Sequence, residues 1–336
     1  MAVELALTEV AADVHELRLP IPFEDGLVNV FLFRDGDEVD LLDCGMNSEE
    51  SVEMIRAAVR QVGARRLRKL LVTHIHPDHY GAAGTLAGEG GADLYIHRLE
   101  VPLVQPRYVE LEQLVAEVRQ YLLINGVPGD EAEVVSNSQR ALSQVVKPAD
   151  PAVQLDGAED VVMGRHSLRV EWTPGHSPGH VCLFEKSSGL LFAGDHILPE
   201  LSPNIGLHPQ STPDPLHDYL DGLRRMVELE PNRVLPAHGR PFDTIAARVD
   251  ALTRHHRRRF DQILEIVDRR PARAGRTTEL DGKSGWQVAL ELWGPRQNLY
   301  EKRLALQEGL AHLQALAVDG LVAKSATPKS VRWRRT

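Results

Sequence analysis

The chain of 336 residues is long enough for two domains, or for one large domain with an appendage, and for a substantial core. Hydrophobic residues make up 43% and charged residues 26%, which excludes a mainly disordered or collagen-like protein. With 38 basic and 48 acidic side chains the net charge is −10, which argues against a surface built throughout to hold polyphosphate but leaves room for a local basic patch.

Two cysteines, Cys44 and Cys182, are too few for a disulfide framework and read as small buried hydrophobes in a reducing compartment. The opening MAVELALTEVAADVHE lacks a basic segment followed by an apolar run, and no stretch of about 18 apolar residues occurs. A cytoplasmic protein without membrane association is expected. Fifteen histidines, several of them clustered, are the unusual feature.

In chain order, 28–34 and 38–43 are short β-rich runs separated by Asp35-Gly36-Asp37, which predicts a hairpin. Val52, Ile55, Val59 and Val62 then recur at helical spacing behind Asn47 and Ser48, with Glu50 placed for a capping box on Asn47, so 48–62 is expected to be helical. A buried strand at 69–73 runs directly into His74, followed by a helix over 81–88 and a strand at 93–97. Strands alternating with helices imply an α/β sheet. About 101–148 turns helical, with Leu111, Leu114, Val118 and Leu122 on one face, and suits a lid or wall over a site. Strands resume at 166–172, 181–185 and 190–193, then a helix at 215–229 and a short strand at 233–235. A catalytic unit over 1–245 and a linking helix over 246–275, ending at Arg270–Gly275, precede a C-terminal unit over 276–336. That unit reads helix, helix, then a basic two-strand ending, an order that suits a winged helix.

Five clusters carry the chemistry: Thr73-His74-Ile75-His76-Pro77-Asp78-His79, Thr173-Pro174-Gly175-His176, Gly194-Asp195, Pro236-Ala237-His238-Gly239 and Leu42-Asp43-Cys44-Gly45. His74 and His76 are two apart on extended chain, so both rings leave one side and can meet one ion. Asp78 and His79 lie beyond Pro77, where the backbone turns, and serve a second centre. The other clusters each put a histidine or aspartate in a loop just after a strand, where an α/β sheet gathers functional groups on one rim. Imidazole and carboxylate without paired cysteines favour zinc or a neighbouring first-row ion, and seven ligands are too many for one tetrahedral zinc, so two metals are inferred.

On these residues the sequence resembles the metallo-β-lactamase-fold hydrolase superfamily, over roughly 18–245. The HxHxDH motif is His74, His76, Asp78 and His79; the later glycine-flanked histidine is His176, the bridging aspartate Asp195 and the last ligand His238. The resemblance implies a four-layer αββα sandwich with a dinuclear site on one edge. One metal would take His74, His76 and His176, the other Asp78, His79 and His238, with Asp195 and a hydroxide between them. Asp43 matches the family's structural aspartate. The helical insertion, Gly194-Asp195-His196-Ile197-Leu198 and the order of the C-terminal elements are similar to one branch, the β-lactamase-like hydrolases with a C-terminal winged helix, which includes thioesterases and an endoribonuclease. Tyr80 departs from the small or aliphatic residue many relatives carry there.

Two ions about 3.5–4 Å apart lower the pKa of a shared water to near 7, which supplies a hydroxide nucleophile without any serine or cysteine. Asp78 is expected to orient it and take its proton, which with Asp195 makes the catalytic pair. The expected enzyme is a dinuclear zinc hydrolase, with Mn2+ or Fe2+ as alternative ions, that cleaves a thioester, ester or lactone of a small molecule. An endoribonuclease or phosphodiesterase with the same site, and a nucleic-acid-binding regulator with a vestigial site, are the alternatives; nucleic acid is the less favoured partner, and a homodimer is compatible. His196, Asn204 and Tyr80 are candidate substrate contacts. His180 reads as a partner of the metal ligands, and His255 and His256 as a solvated face. Tyr108 and Tyr121 read as packing residues, and Lys324, Lys329, Arg332, Arg334 and Arg335 as a solvated terminus.

Overall fold

In the computed structural model, which describes residues 7–22, 26–269, 281–295 and 298–336, two β-sheets face each other across an apolar layer. The first has seven strands in sequence order: β1 (Leu7–Ala11), β2 (Val14–Pro20), β3 (Leu27–Asp35), β4 (Glu38–Leu42), β5 (Arg66–Leu71), β6 (Asp93–His97) and β7 (Val153–Leu155). Pairing is antiparallel up to β4 and parallel from β4 to β7. The second has β8 (Asp160–Met163), β9 (His166–Trp172), β10 (Val181–Glu185), β11 (Leu190–Gly194) and β12 (Arg233–Pro236), ordered β12-β11-β10-β9-β8 with only β11 and β12 parallel.

Alternation along β3 explains the layering. Phe31 and Phe33 point between the sheets, where both rings approach Phe192 with centroids 5.1 Å apart. Val28, Val30 and Leu32 point the other way, into a cluster completed by helix α1 (Glu49–Gln61) through Val52, Ile55 and Val59. Helix α7 (Pro215–Glu228) and the long α8 (Ile245–Asp268) cover the outer face of the second sheet through Leu216, Leu223, Val249 and Leu252. The result is the four-layer arrangement expected.

Boundaries shift where side chains compete for backbone groups. Ser48, not Asn47, caps α1 by accepting the Ser51 N–H at 3.1 Å, while Asn47 is taken up by the Thr85 hydroxyl at 2.8 Å. The helix expected over 81–88 begins earlier as α2 (Pro77–Tyr80), with proline in its first turn, and continues as a π-helical turn over 84–89. The insertion forms α3 (Val101–Tyr108), α4 (Leu111–Ile124), α5 (Gly129–Asn137) and α6 (Gln139–Ser143).

After α8, helices α9 (Gly285–Trp293) and α10 (Leu299–Val318) precede the antiparallel hairpin of β13 (Val322–Thr327) and β14 (Ser330–Arg335). Ser284 supplies a complete capping box with Gln287. The turn and boundary expected at Arg270–Gly275 lie outside the described residues. Leu114, Val118 and Leu122 of the insertion share one core with Ile263, Leu306, Leu310, Leu313 and Trp333. The insertion and the C-terminal helices therefore act as one cover beside the sandwich. No helix among the described residues is long and apolar enough to cross a membrane.

Candidate metal centre

His74, His76, His176, Asp195 and His238 sit on loops that leave the C-terminal ends of β5, β9, β11 and β12, and Asp78 and His79 sit in the short α2 that follows the β5 loop, so the seven meet at one rim. Asp43 follows β4 in a left-handed backbone conformation, φ +58°, that turns its carboxylate back under the loop after β5. There it accepts the Thr73 N–H at 2.7 Å and the Thr73 hydroxyl at 2.9 Å, and its Oδ2 lies 2.8 Å from His79 Nδ1. The HxHxDH segment is thus anchored from below.

Two donor groups result. His74, His76, His176 and Asp195 form one, and Asp78, His79 and His238 the other; within each, the facing atoms lie within 4.8 Å of one another. Asp195 stands between them, with Oδ2 3.3 Å from His176 Nε2 and Oδ1 3.3 Å from His238 Nε2 and 3.5 Å from His79 Nε2. His238 Nε2 is also 3.3 Å from Asp78 Oδ2. These spacings suit tetrahedral coordination, whose ligand atoms lie roughly 3.3 Å apart when bonds are about 2.0–2.1 Å.

Four imidazoles are pre-oriented through Nδ1, which leaves Nε2 facing inward. His74 Nδ1 meets Thr73 Oγ1 at 3.1 Å, His79 Nδ1 meets Asp43, His176 Nδ1 meets the Asn204 carbonyl at 3.0 Å and His238 Nδ1 the Leu27 carbonyl at 2.8 Å. His76 differs, with Nδ1 2.8 Å from His176 Nε2. His74 Nε2, His79 Nε2 and Asp195 Oδ1 are buried without a hydrogen-bond partner. Such atoms are costly when left unpaired, and divalent cations in the two donor groups would satisfy them, so the residues present fit metal.

The two donor groups differ in their electrostatics. Burial, then the neighbouring His79, His76 and His176 rings, holds His74 well below the usual histidine range, in the neutral form a metal requires. Burial opposes charge at His238, but Asp195 and Asp78 outweigh it and push the ring up to about 9. Burial likewise opposes ionisation of Asp195, and His238 and His79 overcome it, keeping the carboxylate well below its ordinary range.

Three supporting residues escaped sequence reasoning. Glu100, fully buried, accepts the Ile75 N–H at 3.0 Å and the Gly179 N–H at 2.6 Å, and so ties the His74–His76 loop to the His176 loop. Asn29 of β3 donates to the Pro236 and Gly239 carbonyls, each at 2.9 Å, and clamps the His238 loop from the opposite sheet. Arg107 lines the cavity described below. Each acts alone across a long sequence separation, so no local motif announces it. His180 behaves as expected: its Nε2 accepts the Asp195 N–H at 3.0 Å. Gly194 makes that approach possible, since a Cβ there would stand 2.6 Å from the same nitrogen and its φ is +49°.

A cavity of about 190 Å³ opens beside the centre, lined on one wall by His76, Asp78, His176 and Asp195 and on the other by the insertion, by Asn204 and by Arg303, Leu304 and Gln307 of α10. Asn204 therefore reaches the expected place. His196 and Tyr80 do not. His196 is buried behind the Asp195 loop against Gly222 and Tyr219, and Tyr80 is spent on the backbone of Ala149, accepting its N–H and donating to its carbonyl, both at 2.9 Å. Both were expected from chain proximity to ligands, but their rings turn into the core. Tyr108 lines the cavity and donates to the Ile75 carbonyl, whereas Tyr121 donates to the Leu207 carbonyl at 2.7 Å. His256 is buried against His312, not solvated, because α10 packs over that face of α8.

The sequence profile of the Metallo-beta-lactamase superfamily matches residues 24–238, the span that holds all seven candidate ligands. The chain is 28% identical over 320 residues to Probable metallo-hydrolase YqjP of Bacillus subtilis (strain 168), covering 91% of this chain and 93% of that protein. To Probable metallo-hydrolase YflN of the same organism it is 26% identical over 256 residues, covering 70% and 86%. Among solved structures, a metallo-beta-lactamase family protein from Thermus thermophilus superposes with a TM-score of 0.81 at 28% identity, over 96% of this chain and 99% of that one. A beta-lactamase domain protein from Burkholderia ambifaria gives a TM-score of 0.81 at 26% identity, over 98% and 94%. The likeness to these two structures thus extends through the C-terminal helices.

Proposed function

Since this chain belongs to the metallo-beta-lactamase superfamily, we propose that it is a hydrolase that holds two divalent cations, zinc foremost, and cleaves a thioester, ester or lactone of a small molecule. The observation that carries this reading is the position of Asp195, whose two carboxylate oxygens face the two donor groups at the same 3.3 Å, to His176 and to His238. Cations held there supply a water acidic enough to yield a nucleophile at neutral pH.

The protein's own residues do the rest. Asp78, on the cavity wall, orients the attacking water and takes its proton at a carboxylate oxygen. His238 and His79, 3.3 Å and 3.6 Å from Asp78 Oδ2, hold that carboxylate in place. As the carbonyl carbon becomes tetrahedral and its bond to the leaving sulfur or oxygen breaks, the proton passes from Asp78 to the departing atom. The insertion and α10 wall the site from bulk water.

An acyl substrate is favoured over a nucleic acid by the cavity. Its walls include Met46, Tyr108, Leu142 and Leu304, and none of the residues lining it comes from the basic β13–β14 hairpin. A polynucleotide site needs an open basic groove with stacking aromatics.

The test is a panel of acyl-thioesters, esters, lactones, β-lactams and phosphodiesters given to metal-loaded protein with and without chelator. Turnover of an acyl substrate that chelation abolishes and added metal restores is expected. Cleavage of phosphodiesters alone would overturn the reading.

A further inference from the structure

We propose that the cavity has an oxyanion-binding end, centred on Arg107 and completed by Arg303, which selects acyl substrates carrying a carboxylate or phosphate close to the scissile carbonyl. This rests on the hydrolase reading above for the identity of the reacting bond, but not for the anion site itself.

Arg107 lies in the last turn of α3 and is only 7% exposed, yet it lines the cavity. Its partners are neutral. Nε donates to Gln210 Oε1 at 2.9 Å, the guanidinium lies against the Tyr108 hydroxyl, and no carboxylate pairs with it among the described residues. An amide partner fixes this guanidinium without cancelling its charge. Arg68 elsewhere in the chain is the contrast, held by Asp40 and Glu38 at 2.6 Å and 3.1 Å. Arg303 enters the same cavity from α10, positioned through Nη1 by Gln139 Oε1 at 3.0 Å.

A guanidinium withdrawn from water is expensive unless an anion meets it. Among the described residues, the only carboxylates that line the cavity are Asp78 and Asp195, and both belong to the candidate metal centre. His208, which lines the same cavity, adds no charge: burial, then Arg107 and Arg303, holds it well below the usual histidine range. The lining of a single cavity of about 190 Å³ thus carries metal ligands together with the guanidiniums of Arg107 and Arg303, and the neutral partners of Arg107 leave its charge for an oxyanion. A small molecule that reaches both has its anionic group within a few bonds of its carbonyl.

The test compares wild type, Arg107→Gln and Arg107→Lys as metal-loaded full-length proteins. Calorimetric titration with succinate and with inorganic phosphate is expected to show binding weakened about tenfold or more in Arg107→Gln and partly restored in Arg107→Lys, with metal content equal in all three. The tighter of the two probes identifies carboxylate or phosphate as the group selected. In parallel, succinyl, 3-phosphonopropionyl and butyryl thioesters of one thiol are compared. Wild type is expected to prefer an anionic acyl group, and Arg107→Gln to lose the preference through KM. Equal binding of both probes by wild type and Arg107→Gln would overturn the anion site, even with every thioester hydrolysed. Weakened binding in Arg107→Gln without hydrolysis of any thioester would support the anion site and count against the hydrolase reading instead.

Discussion

The carboxylate of Glu100 accepts the backbone N–H of Ile75 at 3.0 Å, gripping the one residue that separates His74 from His76. Its second oxygen holds Gly179, three residues beyond His176, so a single buried side chain sets the spacing between two loops of one donor group. Glu100→Gln preserves shape but turns an amide NH2 toward one of these N–H groups. A loss of about 10- to 100-fold in metal affinity is expected, as for other residues that support ligands from behind. Competition with a chromophoric chelator measures it, with circular dichroism as a check on folding. Unchanged affinity would mean the loops hold themselves.

Asp195→Ala removes the carboxylate shared between the two donor groups. Bound metal is expected to fall by half or more, and hydrolysis to disappear. Elemental analysis of the variant beside an activity assay checks both, and full turnover would end the bridging assignment.

The candidate ligands were legible because the chemistry demands rare residue types in short windows, and each window follows an apolar strand. His74, His76, Asp78 and His79 fall within six residues, and the strands expected at 93–97, 166–172 and 181–185 end where the structure ends them. What reads poorly is whatever depends on one residue meeting a distant one. Glu100 reaches 79 residues along the chain to Gly179, and Asn29 reaches 207 to Pro236. Strand β2 was not expected because buried Glu16, paired with Arg18 at 2.8 Å, interrupts its alternation, and β7 is only three residues long. His196 and Tyr80 show the converse: adjacency to a ligand says nothing of which way a side chain turns.

The shared core of the insertion and the C-terminal helices links stability to the cavity. Leu310, buried within it, lies one to two turns from Arg303, Leu304 and Gln307 on the same helix. Leu310→Ala is expected to cost about 2–5 kcal/mol of stability and to raise KM while leaving metal content intact. Urea denaturation and steady-state kinetics measure the two effects. An unaltered KM despite the lost stability would show that the sandwich shapes the cavity without α10.

Glu308 gives α10 a pH dependence of known sign. Burial raises its carboxyl from 4.5 to about 7, and Arg259 on α8 offsets only part of this. Because the folded pKa lies above the unfolded one, the folded state holds a proton that the unfolded chain has released. The stability this proton contributes is fully present below pH 4.5 and lost as the pH rises through 7. Glu308→Gln should therefore match wild type near pH 4.5 and exceed it by about 2 kcal/mol near pH 8, after allowance for partial exposure. Denaturant titrations at the two pH values decide it; an equal difference at both would contradict the assignment.

The central claim is that the two donor groups around Asp195 hold catalytic metal. Its most direct test is elemental analysis of the purified protein, carried through a chelator titration with hydrolysis followed at each step. About two transition-metal ions per chain are expected, with activity lost as they are withdrawn and recovered when they return. Protein that contains no such metal and turns over substrate regardless of chelator would contradict it.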